Sequence, residues 1–168
     1  MAKLLLALAF ALFIPILPAY AQGMVKSASG NSLDVMLEPQ WEQDSQARFK
    51  VTFLQPGTQT VQVHIDYDLV VRDESGNEVF RATDQFANQP VLHTESGIVT
   101  IPQVPSSYKF GANGSFTVTV EMFGIQFIPI SPETAEFSIN VTPEFPAGAL
   151  AIAAAMAGTI AAMRLKKL

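Results

Sequence analysis

The stretch "TVQVHIDYDLVV", from Thr60 to Val71, alternates apolar and polar residues with a period of two. Val61, Val63, Ile65, Tyr67, Leu69 and Val71 share one face of an extended chain, and Thr60, Gln62, His64, Asp66 and Asp68 share the other. Only a half-buried β-strand satisfies that pattern, because a helix would scatter the apolar residues around its axis. "FTVTVEM" from Phe116 and "AEFSINV" from Ala135 repeat it. Shorter copies occur at residues 33–37, 47–54, 77–83 and 98–101, so the sequence predicts about seven strands. Pro56-Gly57, Ser75-Gly76-Asn77 and Gly111-Ala112-Asn113-Gly114 supply turns between them. The expected fold is an all-β, immunoglobulin-like antiparallel sandwich, with a jelly roll or another small barrel as the alternative.

The two ends do not alternate. Lys3 followed by the apolar run from Leu4 to Ile14 has the form of a secretory signal, and Ala19 and Ala21 place small residues where a signal peptidase reads them. Residues 1–21 are therefore expected to be removed, leaving a chain that begins at Gln22. At the other end, residues 146–163 form an 18-residue stretch without a charge, and Arg164, Lys166 and Lys167 follow at once. That order predicts a transmembrane helix stopped by basic residues that stay cytoplasmic. Residues 22–142 would then form an extracellular domain on the outer face of the membrane. Nine of the 18 residues are alanine, which lends little insertion energy, so such a helix is easily passed to another protein. Ala154 and Gly158, four residues apart, would also allow close helix packing.

All 15 Asp and Glu lie between residues 22 and 145, against six Lys and Arg there. A surface this acidic disfavours nucleic acid as a partner. There is no cysteine, which removes disulfides, thiol nucleophiles and cysteine-ligated metals.

His64, Asp66 and His93 are the candidate metal ligands, since two imidazoles and a carboxylate suit zinc, copper(II), iron or manganese. Asp73 and Glu74 would enter a calcium reading of the same region, although no D-x-D-x-D-G loop is present. No serine lies in a G-x-S-x-G elbow, and no phosphate-cradling glycine loop is found, so the chain is read as non-enzymatic with no required cofactor. Asn113-Gly114-Ser115 and Asn140-Val141-Thr142 are N-glycosylation sequons, at Asn113 and Asn140. "FGIQFIPISPE", from Phe123, is an unusually apolar connection and a candidate contact patch, and Trp41 is a second.

Pro143-Glu144-Phe145, the apolar stretch and Arg164-Leu165-Lys166-Lys167 together resemble the PEF-CTERM sorting domain of archaeal surface proteins, over residues 143–168. The resemblance implies that Pro143, Glu144 and Phe145 are read by an archaeosortase, which cuts near the motif and exchanges the helix for a lipid anchor. "HIDYD", "LHTESGIVTIP" and "FIPISPETAEFSINVTPEFP" are similar to domains attached to such tails in ammonia-oxidising archaea. The function expected from these features is a structural or binding domain displayed at the cell surface, its partner a surface protein or glycan. A metal-binding extracytoplasmic protein and an accessory subunit of a membrane complex are the alternatives.

Overall fold

Alternating burial follows alternating sequence along most of residues 23–141, and the apolar faces of two antiparallel sheets close on each other. A computed structural model describes residues 23–42, 44–86, 89–103 and 106–141. The expected signal segment with Ala19 and Ala21, and the expected sorting segment with Pro143, Glu144, Phe145, Arg164, Lys166 and Lys167, lie outside the described residues. Among those described, no helix is long and apolar enough to cross a membrane.

The described residues form ten strands: β1 (Met24–Ser27), β2 (Asp34–Glu42), β3 (Gln46–Leu54), β4 (Ile65–Arg72), β5 (Glu78–Arg81), β6 (Leu92–Thr94), β7 (Ile98–Ile101), β8 (Tyr108–Lys109), β9 (Gly114–Ile125) and β10 (Ile128–Val141). One sheet runs β1-β2-β3-β7, with β8 also pairing with β3. The other runs β10-β9-β4-β5, with β6 also on β4. The seven expected strands are all present. β1, β6 and β8 are additional, and at two to four residues each they are too short to carry a periodic signal.

The expected strand at residues 60–71 begins only at Ile65. His64 adopts a left-handed conformation, with φ 54°, and breaks the alternation. Ahead of it the pattern is inverted: Val63 is exposed and Gln62 is buried. The Pro56-Gly57 turn closes as expected, with the Thr58 amide bonded to the Gln55 carbonyl at 3.0 Å.

The core is formed by the inward residues of both sheets, among them Phe49, Phe53, Leu37, Leu69, Met122 and Phe137, each fully buried. Phe53 and Tyr67 meet across the layers with ring centroids 5.5 Å apart. Burial pushes the Tyr67 phenol well above its ordinary range, so it stays neutral. Phe110, on the short stretch between β8 and β9, gathers Trp41, Tyr108 and Phe116 within 5.7 Å and closes one end of the sandwich. Trp41 packs there by one face and remains 40% exposed by the other.

Polar ties join the sheets and fix the loops. The Glu133 carboxylate on β10 accepts hydrogen bonds from the Gly30 amide (3.1 Å), the Ser32 amide (3.2 Å) and the Ser32 hydroxyl (2.8 Å), clamping the β1–β2 turn. Gly97, with φ 70°, sits so close to the Gln62 carbonyl that a Cβ would lie 2.0 Å from its oxygen. No side chain fits that position. Asp34 accepts from the Ser27 hydroxyl and from the Gly57 amide at 2.7 Å, which holds its carboxyl below the ordinary value of 3.8.

Two measurements test this framework. Phe137→Ala should destabilise the domain by about 3–5 kcal/mol in urea unfolding, the cost of a large core cavity. Because Asp34 has a depressed folded pKa, its contribution is complete above the unfolded value and is lost as pH falls through the folded one. Asp34→Asn should therefore be less stable than the parent at about pH 6, and the gap should narrow below about pH 3.

Candidate functional site

A two-residue turn joins β9 to β10, with Ile125 opposite Ile128. Both central residues are left-handed, Gln126 at φ 51° and Phe127 at φ 65°. That is the geometry of a type I′ hairpin, which ordinarily selects Asn-Gly because other side chains are strained there. His64, also left-handed, lies beside the turn and accepts a 2.7 Å hydrogen bond from the Gln126 amide through its carbonyl. Three non-glycine residues are thus held in a region that costs on the order of 1 kcal/mol each.

These backbones assemble one cluster of side chains. The Phe127 ring lies 4.4 Å from the His64 ring and 5.6 Å from the His93 ring, centroid to centroid, and the two imidazoles are 5.8 Å apart. His93 on β6 is the cross-strand partner of Asp66 on β4. Its Nδ1 is 2.7 Å from Asp66 Oδ1. An Nδ1–H donated to the carboxylate leaves Nε2 with its lone pair available. On the other side of β4, Gly124 faces Asp66, and a Cβ there would lie 2.5 Å from the carboxylate. The glycine therefore makes the room that Asp66 occupies.

His64, Asp66 and His93, predicted from alternation and composition, are brought together. They are not aimed at one point: among the described residues no group of three or more His, Asp or Glu converges as a metal site. His64 Nδ1 is buried without a hydrogen-bond partner among the described residues. Phe127 is the member that the sequence did not assign to this cluster, and the "FGIQF" stretch, expected as a connection, is the end of β9 with the two residues of the hairpin turn. Phe127 and Ile128 are 70% and 67% exposed. Gly124 within a strand pattern was the available signal of a close approach.

Asp68, the other acidic residue of "HIDYD", belongs to a separate structural network. Its carboxylate is buried and accepts from the Thr83 amide (3.1 Å), the Thr83 hydroxyl (2.8 Å) and Arg81 Nη1 (2.8 Å). Arg81 also grips Glu78 with two 2.8 Å bonds, and these partners raise its pKa further. Asp73 caps the β4–β5 turn through the Ser75 and Asn77 amides, both at 2.9 Å, while Glu74 is exposed. Asp73 therefore has a structural use of its own, apart from His64 and His93.

At the opposite end of the hairpin, Asn113 is exposed one residue before β9, and Asn140 lies near the end of β10. Ser115 and Asn140 are cross-strand partners, and the Ser115 hydroxyl donates to Asn140 Oδ1 at 2.6 Å. The two sequons thus share the open end of the β9–β10 hairpin. Beside them is an open cleft of about 400 Å³ lined by Arg72, Thr117, Thr119, Glu136 and Ser138, among others.

No family model matches the chain, and comparisons with curated proteins and with solved structures gave no significant match.

Replacing Gln126 and Phe127 by Asn and Gly tests whether the tip is built for stability. The double variant should be more stable by about 1 kcal/mol, because it relieves the turn and sacrifices a side chain that is mostly in water. A net loss in urea unfolding would make Phe127 a packing residue.

Proposed function

We propose that the protein is a secreted, non-enzymatic cell-surface protein, held at the outer face of the membrane by its C-terminal segment, whose sandwich presents the Phe127 tip to another surface component. The observation that carries this is the direction of β10. The strand starts at the exposed tip and ends at Val141, where the chain leaves for the apolar segment. Its 14 residues, at about 3.3 Å each, separate the two by roughly 40 Å. A chain anchored beyond Val141 would carry Phe127 and Ile128 at its far end.

The strand order supports an immunoglobulin-like assignment. β3 and β7 are neighbours in one sheet, as strands B and E are in that fold, and β4, β9 and β10 adjoin in the other, as C, F and G do. The archaeosortase reading rests on Pro143, Glu144 and Phe145 and on the basic residues Arg164, Lys166 and Lys167. It predicts that the mature C-terminal peptide from native membranes ends near Phe145 with a lipid-sized added mass. A peptide running to Leu168 would mean that the helix is retained. For the tip, a photo-crosslinking residue at Phe127 should capture a surface component in intact cells, whereas one at Glu74 should not. Equal capture from both positions would remove the tip from the proposal.

A second reading, a divalent metal held by His64 and His93 with Asp66 orienting one imidazole, is favoured by the 5.8 Å spacing of the two rings. Phe127 lies against both, so a metal would require that ring to turn aside. Stoichiometric metal in the unchelated protein, lost in the His64→Ala, His93→Ala double variant, would establish it. Metal-free protein would dismiss it.

A further inference from the structure

We infer that Asn140 carries an N-linked glycan of neutral sugars, and that the first sugars lie in the cleft beside it. The inference depends on the secreted reading above and is independent of what the tip contacts.

The two sequons are unequal in the folded chain. Glycosylation of Asn113 calls on the hydroxyl of its own sequon, Ser115. That hydroxyl is committed to Asn140, donating to Oδ1 at 2.6 Å. For Asn140 the same bond is an advantage. It fixes the amide by its oxygen and leaves Nδ2, the atom that is glycosylated, without a partner among the described residues. A glycan on Nδ2 preserves the bond, because Oδ1 remains an acceptor.

The transfer is chemically complete with a lipid-linked oligosaccharide as co-substrate. Nδ2 bonds to the anomeric carbon, the bond from that carbon to the carrier's phosphate oxygen breaks, and the lipid phosphate leaves. One amide proton passes to a base of the transferase.

The next outward-facing residues along β10 from Asn140 are Ser138 and Glu136, and both line the cleft. At about 6.6–7 Å per pair of residues, a sugar leaving Asn140 along the strand meets them first. Thr117, Thr119 and Arg72 form the far wall. Hydroxyls, one carboxylate and one guanidinium are donors and acceptors suited to vicinal sugar hydroxyls, and the volume of about 400 Å³ is in the range of small-ligand clefts. Asp73 and Glu74, which also line the cleft, join Glu136 to place three carboxylates against one guanidinium. That balance repels uronic or sulfated sugars and selects neutral ones.

Intact-glycopeptide mass spectrometry of the protein from its native cells tests the site. The Asn140 peptide should carry hexose- or N-acetylhexosamine-sized increments, and the Asn113 peptide none. An unmodified Asn140, or modification of Asn113 alone, overturns the assignment, and charged increments overturn the neutral chemistry. The N-terminal peptide in the same digest separates the two ideas: a start at Gln22 with bare Asn140 sinks the glycan and leaves secretion standing. Thermal unfolding tests the seat. Thr142→Ala abolishes the sequon while keeping the Ser115–Asn140 bond, and should lower Tm by about 3 °C. Glu136→Gln with Thr117→Val should remove most of that difference. A glycan whose effect on Tm is unchanged by these substitutions is not seated in the cleft.

Discussion

The antiparallel pairing of β9 with β10 is the constraint from which the rest of the molecule follows. Its register runs from Ile125 opposite Ile128 to Gly114 opposite Val141, shifted once between Pro129 and Glu133. A one-residue slip of β9 would turn Phe116, Val118, Val120 and Met122 out of the core, and a slip of β10 would do the same to Phe137 and Ile139. The same register puts the strained turn at one end and both sequons at the other. β9 also pairs along its second edge with β4, so the position of Asp66 beside Gly124 depends on it as well.

Between those ends, the outer face of the β4 sheet contains a buried charge that is compensated on every side. Asp68 receives Thr83 through two groups and Arg81 through one, and Arg81 is in turn held by Glu78 and by Glu121 at 3.3 Å. A buried carboxylate left unpaired would cost several kcal/mol. Supplying it with partners from β5 and the short turn at residues 83–85, with Arg81 held in turn by Glu121 on β9, fixes how the edge strand lies on β4. At the strained tip the Phe127 ring is largely in water, while the His64 ring beside it is half-buried. Stability resides in the body of the hairpin, and exposure is concentrated at its tip.

His64, Asp66 and His93 were legible because alternation puts residues 64 and 66 on one face and a third polar residue lies within reach on a neighbouring segment. The reason they meet was not legible. His64 is outside the strand, turned left-handed and tied to Gln126 by its carbonyl, and β6 is too short to announce that His93 pairs with Asp66. Phe127 joins them through a turn whose residues, Gln and Phe, are poor formers of that turn type. Local preference there is overruled by the pairing on either side.

The amino-acid sequence alone determined the seven principal strands, most of their inward faces and the acidic character of residues 22–145, and it raised the expectation of trafficking segments at the ends. Those are properties of neighbours along the chain, set by a period of two and by runs of apolar residues. Tertiary structure decided which strands are neighbours, and therefore that two histidines, an aspartate and an exposed phenylalanine form one cluster and that two sequons share a serine hydroxyl. Such contacts join residues distant in the chain, and only the register of the paired strands specifies them.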